Sequence, residues 1–113
     1  CILDWNGLQQ YGWATAAGYA SDERLPPQEN PAARWQSFGW HTVEIDGHDP
    51  QQIVSACVEA RGFDGKPVLI IARTTKGKGI SYMEGDYSWH SRPVTDDDLS
   101  VARQELAAQE EAL

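Results

Sequence analysis

Residues 43–72 read VEIDGHDPQQIVSACVEARGFDGKPVLIIA, and three elements follow from them in order. Trp40 to Ile45 carries β-branched Thr42, Val43 and Ile45, the composition of a strand. Asp49-Pro50-Gln51-Gln52 then combines a capping aspartate, a proline in the first turn and a glutamine at the capping-box position. Ile53, Val54, Cys57, Val58 and Arg61 mark about three helical turns with one apolar face, and Gly62 closes them. After Gly65-Lys66-Pro67 comes Val68-Leu69-Ile70-Ile71-Ala72, a continuous apolar run of strand length that suits a strand covered on both faces. Strand, helix and strand make a βαβ unit with a right-handed crossover, so the two strands are expected to be parallel.

Working outward, Cys1-Ile2-Leu3 reads as the tail of a buried strand of the same sheet, with Asp4–Gly12 (DWNGLQQYG) leaving its carboxyl end. Residues 12–30 hold Gly12, Gly18, Pro26, Pro27 and Asn30 without sustained periodicity and read as an extended loop. Asn30-Pro31 is an N-cap followed by proline; the short helix runs through Ala32, Ala33, Trp35 and Gln36 and stops at Gly39. The last helix starts at Thr95, with Val94 and Leu99 as a hydrophobic staple and Asp96, Asp97 and Asp98 at the positive end of the dipole. The expected class is α/β, a parallel sheet with flanking helices.

Composition narrows the function classes. The 113 residues are 41% hydrophobic and 23% charged, ordinary for a globular chain, and five tryptophans imply that some are buried. No run approaches the roughly 18 apolar residues of a membrane span. A net charge of −8 argues against a nucleic-acid grip, which needs clustered Lys and Arg. Two cysteines, Cys1 and Cys57, make no disulfide framework, so a reduced, cytoplasmic setting is the expectation. The chain enters a strand-like run at Cys1, which suggests a piece of something larger.

In open parallel sheets ligands bind outside the carboxyl ends of the strands. Three stretches leave such ends here: Asp4–Gln10, Asp46-Gly47-His48-Asp49, and Thr74–Gly79. Thr74-Thr75-Lys76-Gly77-Lys78-Gly79 pairs glycines that allow close backbone approach with lysines that can meet phosphate; a turn with solvated lysines explains it as well. It lacks the GxxxxGK[ST] spacing of a P-loop. Asp4 and Asn6 offer oxygens suited to a hard divalent ion, and a plain Asn-Gly turn is the competing reading. His41 and His48 read as structural. His90, in Trp89-His90-Ser91-Arg92-Pro93, is open to anion binding or acid–base work.

Together these motifs resemble transketolases. LDWNGLQQYG is similar to the second half of the family's thiamine-diphosphate motif, which begins with Gly-Asp-Gly and ends at an asparagine. SFGWHTVEIDGHDP matches the family's FGW–strand–DGH segment, and GKPVLIIARTTKGKGISYMEGDYSWHSRP resembles its strand, KGKG loop and WHG segment. The resemblance implies thiamine diphosphate with Mg²⁺ (or Ca²⁺), and transfer of a two-carbon ketol unit from a ketose phosphate to an aldose. It implies that the Asn6 side chain and the Leu8 carbonyl bind the metal, that Gly7 makes the turn, and that Gln10 packs near the cofactor's rings. Asp4 carries no implied ligand role. Lys76 would approach the cofactor. His90 would touch the diphosphate and the reacting substrate, and Arg92 a substrate anion. As implied partners it names an upstream segment carrying Gly-Asp-Gly, a pyrimidine-binding domain or subunit, phosphorylated sugars, and assembly as a homodimer or heterotetramer. Residues 1–113 would then be part of a diphosphate-binding domain, from a full-length enzyme or the N-terminal subunit of a split one. Ser91 stands where the family has glycine, and a positive φ there would strain serine. A noncatalytic thiamine-enzyme domain used for protein–protein interaction, or another thiamine-dependent ketose-phosphate enzyme, is the alternative.

Overall fold

A computed structural model describes residues 1–8, 14–15, 18–19 and 30–112. Its elements are β1 (Ile2–Trp5), β2 (Ala14–Thr15), β3 (Gly18–Tyr19), α1 (Pro31–Ser37), β4 (His41–Asp46), α2 (Pro50–Gly62), β5 (Val68–Arg73), a 3₁₀ turn (Tyr87–His90) and α3 (Asp96–Glu111). They fall into two compact units: residues 1–7 with 26–74, and residues 8–25 with 75–113.

The first unit is the expected α/β sheet. Its strand order is β1-β5-β4, and both pairings are parallel. Trp5 and Asp46 both register with Arg73, so the three strands finish level. The loops that follow β1, β4 and β5 therefore leave one edge, as the chain's pattern predicts. Val68 to Ala72 are all buried, and Leu69 and Ile71 are wholly so. On one face Ile45, Ile70 and Ala72 pack with Ala56 of α2, with Val43, Cys57 and Ala60 alongside.

Asn30 caps α1 by accepting from the Ala33 N–H at 3.0 Å, with Pro31 in the first turn. Asp49 caps α2 by accepting from the Gln51 and Gln52 N–H groups at 2.8 and 3.3 Å.

Several expectations change. β1 extends through Asp4 and Trp5, so the chain leaves the sheet at Asn6 rather than at Asp4. Ile2 is exposed, and among the described residues β1 pairs with β5 alone. The buried stripe of α2 is Ala56, Cys57 and Ala60, whereas Val54 and Val58 are 63% and 64% exposed. Small side chains let the helix sit close to the sheet. Gln52 does not close a capping box: its oxygen accepts from the Asp46 N–H at 2.9 Å and its nitrogen donates to Asp49 at 2.8 Å. It thus ties the end of β4 to the start of α2. None of the four described tryptophans is fully buried; Trp35 and Trp40 meet edge-on at 4.8 Å and share what burial they have. Trp13 lies outside the described residues.

In the second unit, α3 begins with a full capping box between Thr95 and Asp98. Val94 and Leu99 stay substantially exposed, so polar capping rather than an apolar staple holds that end. Among the described residues, hydrogen bonds fasten α3 to residues 79–82. Both the N–H and the hydroxyl of Ser81 donate to Glu105, the Tyr82 hydroxyl donates to the Asp98 carbonyl at 2.7 Å, and Gln109 donates to the Gly79 carbonyl at 2.6 Å. Within residues 12–30, read as an extended loop, β2 and β3 pair antiparallel. A ribbon of two residues per strand leaves no periodicity to detect.

These bonds make a pH prediction. Ser81 holds the Glu105 carboxyl below its ordinary value of 4.5, and Thr95, then Arg92, do the same for Asp98 against 3.8. A lowered folded value means stability that is complete above the ordinary value and lost as pH falls through the lowered one. Ser81→Ala should therefore lower the melting midpoint most near pH 7. The gap from the parent should begin to close below pH 4.5 and vanish once pH has fallen through the lowered value, where Glu105 is protonated in both proteins. A gap that stays constant between pH 7 and pH 3 would show that the bond owes nothing to the carboxylate charge.

Candidate functional site

At the level edge of the first unit, the ends of β1 and β5 meet through side chains and the end of β4 joins them through the main chain. Asp4, in β1, accepts the Thr74 hydroxyl with one carboxylate oxygen, and with the other the Asn6 side-chain N–H at 3.2 Å. Thr74 is the first residue beyond β5. On its other side lies Gly47, whose N–H donates to the Arg73 carbonyl at 2.7 Å. A Cβ on Gly47 would collide with the Thr74 methyl and lie 3.0 Å from the Arg73 carbonyl. Glycine is needed here for close approach. Gly7 is different: its φ of +71° turns the chain, and a Cβ there would meet nothing within 4 Å.

The His41 ring is engaged locally. The main-chain N–H of His48, not its imidazole, donates to the Asp46 carboxylate at 2.9 Å. The His41 ring stacks on Phe63 at 4.0 Å and meets Glu59 at 2.8 Å.

Leu8, Lys76, His90 and Arg92 belong to the second unit, Asn6 and Gly7 to the first; Gln10 lies outside the described residues. The Thr74–Gly79 loop turns back on itself. Gly77 has φ +72° and faces Met83, and the Lys76 carbonyl accepts from the Gly85 N–H at 2.9 Å. Lys78 is taken by Glu84 at 3.5 Å. Lys76 is half-buried beside that turn. The two lysines thus separate in role, a distinction invisible in their shared Lys-Gly context.

His90 ends the 3₁₀ turn, exposed, and its mounting is firm. Asp86 caps the turn through the Ser88 N–H and hydroxyl at 2.8 and 2.9 Å. Trp89 donates from its indole to the Tyr82 carbonyl at 3.0 Å. Arg92 lies 4.2 Å from the centre of the Trp89 ring and pairs with Asp98 at 3.3 Å. Ser91 has φ −139°, so the strain expected at this position is absent. The turn ends through the Ser91 N–H donating to the Ser88 carbonyl, which asks for no left-handed residue.

Among the described residues no cluster of three or more His, Cys, Asp or Glu could hold a metal ion. The Asp4–Thr74 link and the Gly47 contact were not legible in the chain, because both depend on strand register. A glycine immediately after a strand was the available hint.

A parallel sheet whose strands finish level, with Asn6 after β1 and Gly47 after β4, is the arrangement at whose edge open α/β domains bind ligands. The domain model described as "Transketolase, thiamine diphosphate binding domain" matches residues 21–112, and the chain belongs to the transketolase family. It is 36% identical over 105 residues, 93% of its length, to a 6-deoxy-6-sulfo-D-fructose transketolase subunit of Clostridium sp. strain MSTE9. It is 34% identical over 112 residues, 99% of its length, to an apulose-4-phosphate transketolase subunit of Phocaeicola vulgatus. The chain spans 35% and 37% of those two relatives. Transketolase from Campylobacter jejuni superposes with a TM-score of 0.73 at 29% identity, over 94% of this chain and 15% of that one. The family and the parallel α/β class drawn from the motifs are therefore correct.

Proposed function

We propose that this chain supplies the metal and diphosphate part of a transketolase site, in an enzyme that moves a two-carbon ketol unit between sugars with thiamine diphosphate. The observation that carries this reading is the Asn6 amide at the level strand edge, its nitrogen turned to Asp4. An amide oxygen, with the Leu8 carbonyl, is a hard donor set that fits Mg²⁺ or Ca²⁺. Gly7 would make the turn between the two ligands, and Gln10, outside the described residues, is the residue the family pattern assigns near the cofactor's rings. When bound, thiamine diphosphate supplies the carbon nucleophile and electron sink that allow a bond beside a ketose carbonyl to break. Lys76 offsets diphosphate charge. His90 holds or hands over a proton at the sugar oxygen where charge develops. Arg92 meets a substrate anion only by exchanging Asp98 for it. The noncatalytic alternative rests on Ser91 and on the missing Gly-Asp-Gly half of the motif; the observed backbone removes the strain at Ser91.

The remainder of the site comes from elsewhere: a segment with Gly-Asp-Gly, and a pyrimidine-binding domain or partner subunit in a dimer or heterotetramer. Residues 1–113 act as part of one diphosphate-binding domain, in the cytoplasm. The named relatives support a phosphorylated or sulfonated ketose as donor, since one is named for a sulfo-sugar and the other for apulose 4-phosphate.

A thermal-shift titration with thiamine diphosphate and Mg²⁺ tests the reading, on the chain assembled with its Gly-Asp-Gly segment and pyrimidine-binding partner. A ligand at 100 times its Kd stabilises the folded state by about 2.7 kcal/mol. A metal-dependent rise in midpoint is expected in the parent and is expected to shrink sharply in Asn6→Ala. No rise in the folded, assembled parent would overturn the proposal.

A further inference from the structure

We infer that Asp4 and Thr74 are positioning residues for Asn6, forming a relay that selects which end of the Asn6 amide faces the metal; this rests on the site proposed above. An asparagine side chain presents an oxygen on one side and an NH₂ on the other, of nearly the same shape. Only the oxygen can ligate a cation, so a metal site built on asparagine needs something to discriminate. An ionised carboxylate accepts and cannot donate. Asp4 therefore takes the NH₂ end of Asn6, at 3.2 Å, and sets the oxygen to the opposite side of the amide.

Asp4 is itself exposed and would swing freely without a second hold. That hold is the Thr74 hydroxyl, donated to its other carboxylate oxygen. Thr74 is steadied in turn. It follows Arg73, whose carbonyl binds the Gly47 N–H, and its methyl lies where a Cβ of residue 47 would stand. The relay runs from the end of β4, through the end of β5, to the end of β1. All its members belong to one compact unit. It gives the Thr74–Gly79 stretch a task separate from its lysines: its first residue orients a ligand carried by a different strand.

Partners that orient metal ligands typically change metal affinity by about 10–100-fold when lost. The test measures Mg²⁺ affinity at saturating thiamine diphosphate in the assembled protein, with the unfolding midpoint of the ligand-free protein recorded alongside. Asp4→Ala should weaken Mg²⁺ by about 10-fold or more. The double variant Asp4→Ala/Asn6→Ala should be no weaker than Asn6→Ala alone, because a residue acting through Asn6 has nothing left to position. Thr74→Val keeps the volume and every charge but loses the hydroxyl, and should weaken Mg²⁺ in the same direction. Thr74→Ser should retain parental affinity.

If Asp4→Ala does not fold, the Val and Ser variants at 74 carry the test by themselves. Equal Mg²⁺ affinities for Thr74→Val and the parent, or fully additive losses in the double variant, would sink the relay. Unchanged affinity in Asn6→Ala would instead sink the metal site on which it rests, so the two failures can be told apart.

Discussion

Ile71→Ala is expected to lower the stability of the chain by about 2–5 kcal/mol, the cost of truncating a fully buried aliphatic side chain whose surroundings cannot collapse. β5 runs between β1 and β4, and residues 68–72 are buried on both faces. Ile71 registers with Leu3 on one side and Glu44 on the other, so neighbours in strands, not a flexible loop, surround the missing atoms. Domains of this size hold only about 5–15 kcal/mol in total, which makes the loss a large share. Val58→Ala on the outer side of α2, where the residue is 64% exposed, should stay within about 0.5 kcal/mol. Urea midpoints for the pair decide the matter. An Ile71→Ala loss as small as that of Val58→Ala would mean that β5 is not the packed centre of the sheet. The substitution bears on the site too, since β5 delivers Thr74.

The fold was legible where local chemistry and tertiary structure agree. Asp49-Pro50 starts a helix whatever surrounds it, and Val68 to Ala72 suits a strand with no water on either face. Register is another matter. That Asp4 meets Thr74 depends on Leu3 standing opposite Ile71 rather than one residue along, and residues 70 positions apart leave no trace of that in either local pattern. The buried stripe of α2 was misjudged for a related reason. Hydrophobicity favours Val54 and Val58, while close packing against a sheet favours Ala56 and Ala60, and packing decided. The motifs identified the family through the segments around Asn6, Lys76 and His90, the residues proposed above for the site. They misled at Ser91, where glycine in the family suggested a backbone conformation that this chain does not adopt.

Gly77→Ala is expected to be the most damaging change in the second unit, and two other glycines show why. Gly77, Gly79 and Gly85 all have positive φ, at +72°, +96° and +72°. A non-glycine residue held there costs of order 1–3 kcal/mol from backbone conformation alone. At Gly85 an added Cβ meets nothing within 4 Å, so Gly85→Ala isolates that conformational cost. At Gly79 the nearest atoms, 3.4 and 3.8 Å away, are tips of the Gln109 and Leu106 side chains, which can move aside. At Gly77 the Cβ would lie 2.6 Å from the Met83 Cβ and carbonyl oxygen and 2.7 Å from its carbonyl carbon. Backbone cannot rotate away. Either the turn opens, breaking the bond between the Lys76 carbonyl and the Gly85 N–H, or the 80–85 segment shifts. Overpacking of this kind adds about 1–3 kcal/mol to the conformational cost. The midpoints should therefore fall in the order Gly77→Ala lowest, with Gly79→Ala and Gly85→Ala together above it. Cofactor affinity in the assembled protein should follow the same order, because Lys76 precedes the glycine that would be displaced. If Gly77→Ala and Gly85→Ala lose equal stability, backbone conformation alone explains the glycines and the Met83 contact is soft. If stability falls in that order while affinity does not, Lys76 keeps its place without the closed turn.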